Sequence, residues 1–270
     1  DTDTLEPVVI SDSFCRFTLQ NKGFMNSFSK IILGCGALTG TAKSHTYPLN
    51  VGISALVERA TLKVGAKTIS EVEDFGHFMA YKSLFIDPSQ TLQREQVITG
   101  RNVGVELRYQ NLFPFLRTNS LPLYMFDEQI SVELTFNPNN NQRQVGSDAV
   151  ETLTIDTAVV KLIADYIYYD GDTMEQFAEA NRSMNFQYID YQLNKRTLSK
   201  AQAETKQILN VGGAGRIVSK MFHSLSRDNV GHGTLCNVYH SQAPNIITTT
   251  GARQVGTLTT NVRLNDKYLY

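Results

Sequence analysis

Apolar and polar side chains alternate along several short segments of this chain. The clearest of them spans residues 130–136, and its apolar positions are Ile130, Val132, Leu134 and Phe136. A period of two is that of a β-strand with one face in a hydrophobic core, because successive side chains point to opposite faces of a sheet. Residues 56–64 and 103–109 repeat the pattern. The alternation therefore predicts a protein built mainly from half-buried strands.

Turn-forming residues separate the strand-like segments, and helix signals are few. Asp87-Pro88 and the polar run 137–142 are typical of turns between strands. One helix is predicted to begin at Ser70, because Ser70 and Glu73 have the spacing of a capping box. Many strands with one inserted helix leave too few helices for a parallel sheet. The sequence therefore predicts an all-β fold, either a jelly roll or a related Greek-key sandwich.

The segment 162–191 predicts a joint between two β-domains. An aromatic strand ends at Asp170, an acidic segment typical of a short helix follows, and a second aromatic strand begins near Met184. The run 154–168 is apolar on both faces, as expected for a strand buried on both sides or in contact with a neighbouring domain. Asp170 is predicted to cap the short helix. The residues assigned to the joint are Tyr166, Tyr168, Asp170, Glu175 and Phe177.

The segment 60–69 is similar in its pattern of residue types to residues 260–269. Each copy reads as a strand that enters a tight turn, with Gly65 or Asn265 at the position where a positive φ is tolerated. The matching positions are Leu62, Val64, Gly65 and Lys67 in the first copy and Val262, Leu264, Asn265 and Lys267 in the second. Together with the joint, this match predicts a tandem duplication.

The joint also carries a resemblance to a known family. Its pattern Tyr-x-Tyr-x-Asp, followed by Glu-x-Phe-Ala and a second strand, resembles the connection between the two barrels of double jelly-roll major capsid proteins. These proteins form the shells of large icosahedral DNA viruses, virophages and polinton-like elements. The segments 56–69, 119–123 and 262–266 are similar to the same family. Residues 172–176 and 212–218 depart from the large-virus pattern, which favours a virophage or polinton-like relative.

The resemblance implies a double jelly roll with a short helix inserted in the first barrel and another at the joint. The first jelly roll would span 10–170, the helical joint 171–183, and the amino-terminal part of the second jelly roll 184–270. Because the last segment holds about half of an eight-stranded jelly roll, we expect the chain to be a fragment that ends inside the second barrel.

The function implied by the resemblance is structural. Such a protein forms the icosahedral shell of a DNA virus or virus-like element and assembles as pseudo-hexagonal homotrimers. Its partners would be itself, neighbouring trimers, and penton and minor capsid proteins, and its location the virion after assembly inside the host cell. The long polar segments 36–50, 137–150 and 227–233 are candidates for outer loops or contacts between neighbours.

Composition excludes several other classes. A net charge of −1 and a pI near 6.6 argue against specific nucleic-acid binding. No apolar run reaches the length of about 18 residues that a membrane span needs, and no secretory signal is recognisable. Three cysteines are too few and too scattered for a disulfide scaffold, and Cys15 is predicted to be a small buried hydrophobe.

No motif points to catalysis, a cofactor or a metal. The five histidines lack metal-site spacing, which weakens the case for a metal-dependent cupin. The glycines of 34–40 are misplaced for a dinucleotide fingerprint, and those of 212–215 lack the lysine of a phosphate loop, so that a hairpin turn is predicted there instead. Asp172 and Glu175 could pair with Asp170 for glycoside hydrolysis, but helix capping explains them better. We therefore predict a protein that is not an enzyme.

One alternative function stays open at this point. A carbohydrate- or protein-binding β-sandwich would hold a ligand on one loop face, where aromatic side chains and a few polar groups converge. In this sequence the aromatic residues are spread across the strands and the joint. That distribution favours the shell protein over the binding module.

Overall fold

The computed structural model describes a jelly-roll sandwich and several shorter segments. The residues that it describes are 1–21, 23–34, 45–46, 51–83, 105–108, 112–113, 120–136, 145–146, 155–183, 185, 189–195, 217–222, 245–247, 253–255, 263–264 and 267–268.

Short strands dominate the described residues. The strands are β1 Thr2–Leu5, β2 Val9–Ser11, β3 Phe14–Leu19, β4 Phe24–Met25, β5 Lys30–Leu33, β6 His45–Thr46, β7 Val57–Val64, β8 Lys67–Glu73, β9 Val105–Arg108, β10 Leu121–Pro122, β11 Ile130–Phe136, β12 Val145–Gly146, β13 Lys161–Ile167, β14 Asn245–Ile247, β15 Arg253–Val255, β16 Arg263–Leu264 and β17 Lys267–Tyr268. The helices are α1 Phe75–Ser83 and α2 Gly171–Ala180, and two 3₁₀ turns span Gly52–Leu56 and Leu123–Met125.

Two antiparallel sheets form the sandwich. In the first sheet, β13 pairs with β1 and with β5, and β5 pairs with β9. The short strand β4 also pairs with β13, and β10 pairs with β4. The second sheet has the order β2-β3-β11-β7-β8. The orders β1-β13-β5-β9 and β3-β11-β7-β8 are those of a jelly roll, in which the chain alternates between two sheets through Greek-key connections. The predicted all-β jelly roll is confirmed.

The first sheet also includes β1, which precedes the predicted beginning of the first jelly roll at residue 10. Four residues of β1 pair with β13 from Thr2↔Asp165 to Leu5↔Leu162. The strand β13 thus lies between β1 on one side and β5 on the other. Its inward side chains Leu162, Ala164 and Tyr166 are buried in the core that the two sheets share.

The core lies between the two sheets and is filled by alternating side chains. Fully buried members include Phe17 and Leu134 from the second sheet, and Ile31 and Leu162 from the first. Cys15 is buried among them, as predicted, and burial raises the pKa of its thiol to about 12. A thiol held neutral in this way packs as a small hydrophobe and is a poor nucleophile.

The strand predicted to be apolar on both faces is shorter and more one-sided than its sequence indicates. A turn covers residues 157–159, and β13 begins at Lys161. From there buried and half-buried residues alternate strictly, with Leu162, Ala164 and Tyr166 inward. The half-buried face includes Ile163 and Ile167.

The inserted helix exists, but its predicted beginning at Ser70 is wrong. Residues up to Glu73 belong to β8, and α1 begins at Phe75 after Asp74, which has a φ of +49°. Ser70 pairs with Leu62 in the ladder between β7 and β8, and its side chain points into the core. A ladder of seven strand residues overrides a local capping signal, because it satisfies the same backbone groups and also buries Val72.

The outward face of the second sheet is charged and internally paired. The Glu133 carboxylate accepts a hydrogen bond from Arg16 Nε at 2.8 Å and one from Lys63 Nζ at 2.6 Å. Glu133 lies on β11, between the strands that carry its two partners. Burial by itself raises the pKa of Glu133, but the hydrogen bonds and charges of Lys63 and Arg16 outweigh it and hold the pKa below its usual value.

Replacing Glu133 by alanine is expected to lower the free energy of unfolding by about 1–2 kcal/mol at neutral pH, because two cations then face each other without a counter-charge. A group whose pKa is lowered by folding stabilises the protein above its unfolded pKa. The difference between wild type and Glu133→Ala should therefore shrink as the pH falls through the folded pKa. Urea unfolding at pH 7 and at acidic pH measures both effects.

Glu71→Ala provides the matched control. Glu71 pairs with Arg59 at 3.4 Å on the same face, and both side chains are substantially exposed. Exposed pairs contribute from zero to about 1 kcal/mol, so this variant should unfold close to wild type. Equal losses in Glu71→Ala and Glu133→Ala would contradict a special role for the buried carboxylate.

Candidate functional site

The helix α2, predicted to lie at the joint, is capped as the sequence predicts. Asp170 is the N-cap, and its Oδ1 accepts a hydrogen bond from the backbone N–H of Thr173 at 2.8 Å. This hydrogen bond holds the pKa of Asp170 below its usual value. Glu175, another residue assigned to the joint, is exposed on α2. Asp170, Asp172 and Glu175 thus lie at the cap or on the exposed surface of one short helix. This agrees with helix capping as the explanation for these carboxylates.

An aromatic side chain attaches α2 to the sandwich. Phe177 contacts Phe24 edge-on, with ring centroids 5.4 Å apart, and lies 6.1 Å from Tyr124 in the same geometry. Phe24 and Tyr124 contact each other at 5.1 Å. This cluster of three rings joins α2, β4 and a 3₁₀ turn, although the three residues are far apart in the sequence.

The two joint tyrosines lie at the end of β13. Their rings stack with centroids 5.7 Å apart, and Tyr166 is fully buried. Burial raises the pKa of Tyr166. Tyr168 lies against Gly23, which has a φ of +61°. The sequence pattern identifies the tyrosines but not Gly23, Phe24 and Tyr124, because no local pattern marks a residue as the partner of a distant helix.

Asp170→Ala is expected to loosen the first turn of α2, because the amides of that turn lose their acceptor. The amide of Thr173 should exchange with solvent faster than in wild type, as measured by hydrogen exchange and NMR. Asp170→Asn keeps an acceptor at the same position and should retain the protection at neutral pH. The wild-type protection should also decline as the pH falls through the lowered pKa of Asp170. Unchanged exchange in Asp170→Ala would show that the cap has no effect.

The two copies of the repeated segment both form hairpins. In the first, Val64 pairs with Lys67 across the turn 65–66, and Gly65 has a φ of +54°. In the second, Leu264 pairs with Lys267 across residues 265–266. The hairpins therefore have the same loop length and the same register at equivalent positions. Leu62 is buried on β7, whereas Val262 and Asn265 lie outside the described residues.

Gly65→Val is expected to cost about 1–2 kcal/mol of folding stability, because a β-branched residue is strained at a positive φ. Asparagine tolerates this conformation and is the residue found at position 265, so Gly65→Asn should cost less than about 1 kcal/mol. In both variants the new Cβ meets the exposed side chain of Glu128, which can move away. Urea unfolding of the two variants compares them directly, and equal costs would show that φ is not the cause.

Two of the long polar segments meet in the structure. β6 and β12 form a two-stranded ladder, in which Thr46 pairs with Val145 and His45 with Gly146. β6 belongs to the segment 36–50 and β12 to the segment 137–150, so these two candidate outer loops contact each other. The third candidate, 227–233, lies outside the described residues.

The outward side of the first sheet carries both apolar and charged side chains. Ile32, Ile163 and Ile167 are half-buried on its outward side. Phe28, in the turn between β4 and β5, is 66% exposed, and Tyr169, just after β13, is 53% exposed. Lys30, Lys161 and Asp165 lie on the same outward side, so the isoleucines are interspersed with charged residues. Exposed aromatic side chains such as Phe28 and Tyr169 are typical of interaction sites.

The described residues contain no cluster suited to metal chemistry. Among them, no three His, Cys, Asp or Glu side chains approach closely enough to bind an ion. His77 is on α1, where its Nδ1 lies 2.9 Å from Asp74 Oδ1. His223, His232 and His240 and the glycine segment 212–215 lie outside the described part of the chain. Within that same part, no helix is long and apolar enough to cross a membrane.

The topology defines the class of the protein as an all-β jelly roll. No protein-family model matches the chain, and neither does any curated protein. Among solved structures, the chain is similar to PBCV-1 VP54 in its crystal structure fitted into a cryo-EM reconstruction of the virophage Sputnik. The TM-score is 0.42 and the sequence identity 16%, over 66% of this chain and 45% of that one. The matched part of this chain thus covers less than half the length of VP54.

Proposed function

We propose that this chain is a building block of the icosahedral shell of a DNA virus or virus-like element. Jelly rolls also occur in lectins and cupins, so the fold alone does not decide among these functions. The observation that carries the proposal is the pair of hairpins at 64–67 and 264–267, which have one register and one loop length. A repeated jelly roll would give the chain two lobes, which favours a role as a structural building block.

In this proposal the chain comprises two jelly rolls in tandem. The first runs to residue 170 and includes β1, the helical joint spans 171–183, and the second begins at 184. Three copies then give a six-lobed, pseudo-hexagonal homotrimer that can tile a closed shell. The joint residues Tyr166, Tyr168, Asp170, Glu175 and Phe177 would set how the second lobe leaves the first, because Phe177 attaches α2 to the first sandwich.

The surface of the first sandwich supports an assembly role. Protein interfaces combine an apolar centre with a polar rim, and the exposed aromatic side chains of Phe28 and Tyr169 would supply apolar area for such a centre. The proposed partners are further copies of this chain, neighbouring trimers, and penton and minor capsid proteins. The proposed location is the virion, with assembly inside the host cell. Specific nucleic-acid binding is not part of the proposal, because the net charge is −1.

The proposal is tested by the mass and the assembly of the full-length gene product. Light scattering of the purified protein should give three times the mass of one chain, and electron microscopy of expressing cells should show closed particles. Phe28→Asp should weaken the trimer without unfolding the sandwich, whereas the same change at Val8, an exposed residue just before β2, serves as a matched control. A monomer that is retained on a glycan array would instead support the carbohydrate-binding module.

A further inference from the structure

Helix α1 carries side chains that are covered on both of its faces. Phe75, Gly76, Met79 and Ala80 form one face and are buried against the sandwich. His77, Phe78, Tyr81 and Lys82 form the opposite face and are half-buried. A surface helix normally presents a polar side to water, and a helix that is apolar all round lies between two layers. The first sandwich supplies one layer, through β7, β8 and the turn Gly52–Leu56.

The second layer comes from the chain after the joint helix. The ring of Tyr191 packs on Phe78, with centroids 4.9 Å apart. The ring of Phe222 stacks on Tyr81 at 5.3 Å, with an angle of 6° between the ring planes. Tyr191 is partly buried against the core of the first sandwich. Burial raises the pKa of Tyr191, and the neighbouring Tyr81 and Asp74 raise it further.

A charged contact lies beside these rings, just before α1 begins. One oxygen of the Asp74 carboxylate lies 2.9 Å from His77 Nδ1, and the other lies 3.8 Å from Lys195 Nζ. Asp74 is 7% exposed and has a φ of +49°. Its carboxylate therefore connects the first turn of α1 with the segment that follows the joint.

We propose that the outer face of α1 is the docking surface for residues 189–195 of the same chain. The joint helix α2 has one aromatic attachment to the first sandwich, through Phe177. The docked segment adds a second attachment, formed by Tyr191 and Lys195 and extended by Phe222. Two attachments restrain the direction of the chain after the joint, where a single attachment would allow it to rotate. This inference does not depend on the shell function, because it concerns contacts within one chain.

Hydrogen exchange with mass spectrometry tests the docking in the full chain. Tyr191→Ala removes the ring that covers Phe78, and the peptide containing 189–195 should then exchange about tenfold faster. Ile189→Ala is the matched control, because Ile189 is 62% exposed and its loss should leave the exchange of this peptide unchanged. Peptides from β11 should keep wild-type exchange in both variants, which shows that the sandwich is still folded.

A double-mutant cycle tests the charged contact. Lys195→Glu should accelerate exchange of the 189–195 peptide several-fold in the wild-type background. Asp74→Asn keeps the shape and the tolerance for a positive φ but removes the charge. In that background, Lys195→Glu should have a much smaller effect. Effects of equal size in the two backgrounds would show that Lys195 does not act through Asp74 and would overturn the charged part of the docking.

Two further results would overturn the inference as a whole. One is unchanged exchange of the 189–195 peptide in both Tyr191→Ala and Lys195→Glu. The other is dissociation of an oligomer that accompanies faster exchange of this peptide, because the docked segment would then come from a neighbouring copy. The shell proposal is judged separately, by the mass of the wild-type protein. A failure of the docking inference can therefore be told apart from a failure of the shell proposal.

Discussion

Phe17→Ala is expected to lower the free energy of unfolding by about 3–5 kcal/mol, because it removes a large aromatic side chain from a closed core. Phe17 lies in the middle of β3 and is fully buried. Phe17 belongs to the core between the two sheets, and β3 is held in register by β11, so the cavity can close only by moving paired strands. A loss of this size is a large part of the stability of a typical domain, and urea unfolding should show it as a large shift of the midpoint.

Thr18→Ala is the matched control for this prediction. Thr18 follows Phe17 on the same strand, but its side chain points to the outer face, where the residue pairs with Ser131. The substitution should change the free energy of unfolding by less than about 1 kcal/mol. If Phe17→Ala lost no more than Thr18→Ala, the assignment of the inward face of β3 would be wrong.

Gly23→Ala is expected to cost about 2–4 kcal/mol, through backbone strain and a steric clash at the joint. Gly23 has a φ of +61°, and a Cβ there would meet the carbonyl oxygen of Ile167 and lie 2.7 Å from Cδ1 of Tyr168. The carbonyl belongs to β13, which pairs with β4 immediately after Gly23 and cannot retreat. We therefore expect a loss of stability, measured by urea unfolding, together with faster hydrogen exchange in α2.

Gly171→Ala makes the same chemical change in open space. No atom lies within 4 Å of a Cβ built at Gly171, which is the first residue of α2. Alanine is a better helix former than glycine, so this variant should be neutral or more stable by up to about 1 kcal/mol. A similar loss of stability in both variants would contradict the clash at Gly23.

Local signals predicted the parts of the fold that depend on neighbouring residues. The alternation in 130–136 predicted β11 and its buried face, and the turn residues predicted the hairpin at Gly65. The cap at Asp170 and the burial of Cys15 were predicted for the same reason. The predicted beginning of α1 at Ser70 was wrong, because Ser70 carries a local capping signal but pairs with Leu62 on the adjacent strand. In that case a tertiary ladder was stronger than the local preference.

The sequence by itself determined the all-β class, the alternation of buried and exposed positions, and the repeat of a strand and turn, because each depends on side chains within a few residues of one another. The tertiary structure alone decided which strands are neighbours, and so which distant side chains meet. Glu133 binds Arg16 across 117 positions of sequence, and Phe177 packs on Phe24. The ring of Tyr191 packs on Phe78 of α1, which is also distant from it in the sequence. These contacts follow from sheet order and packing between surfaces, which no local period encodes.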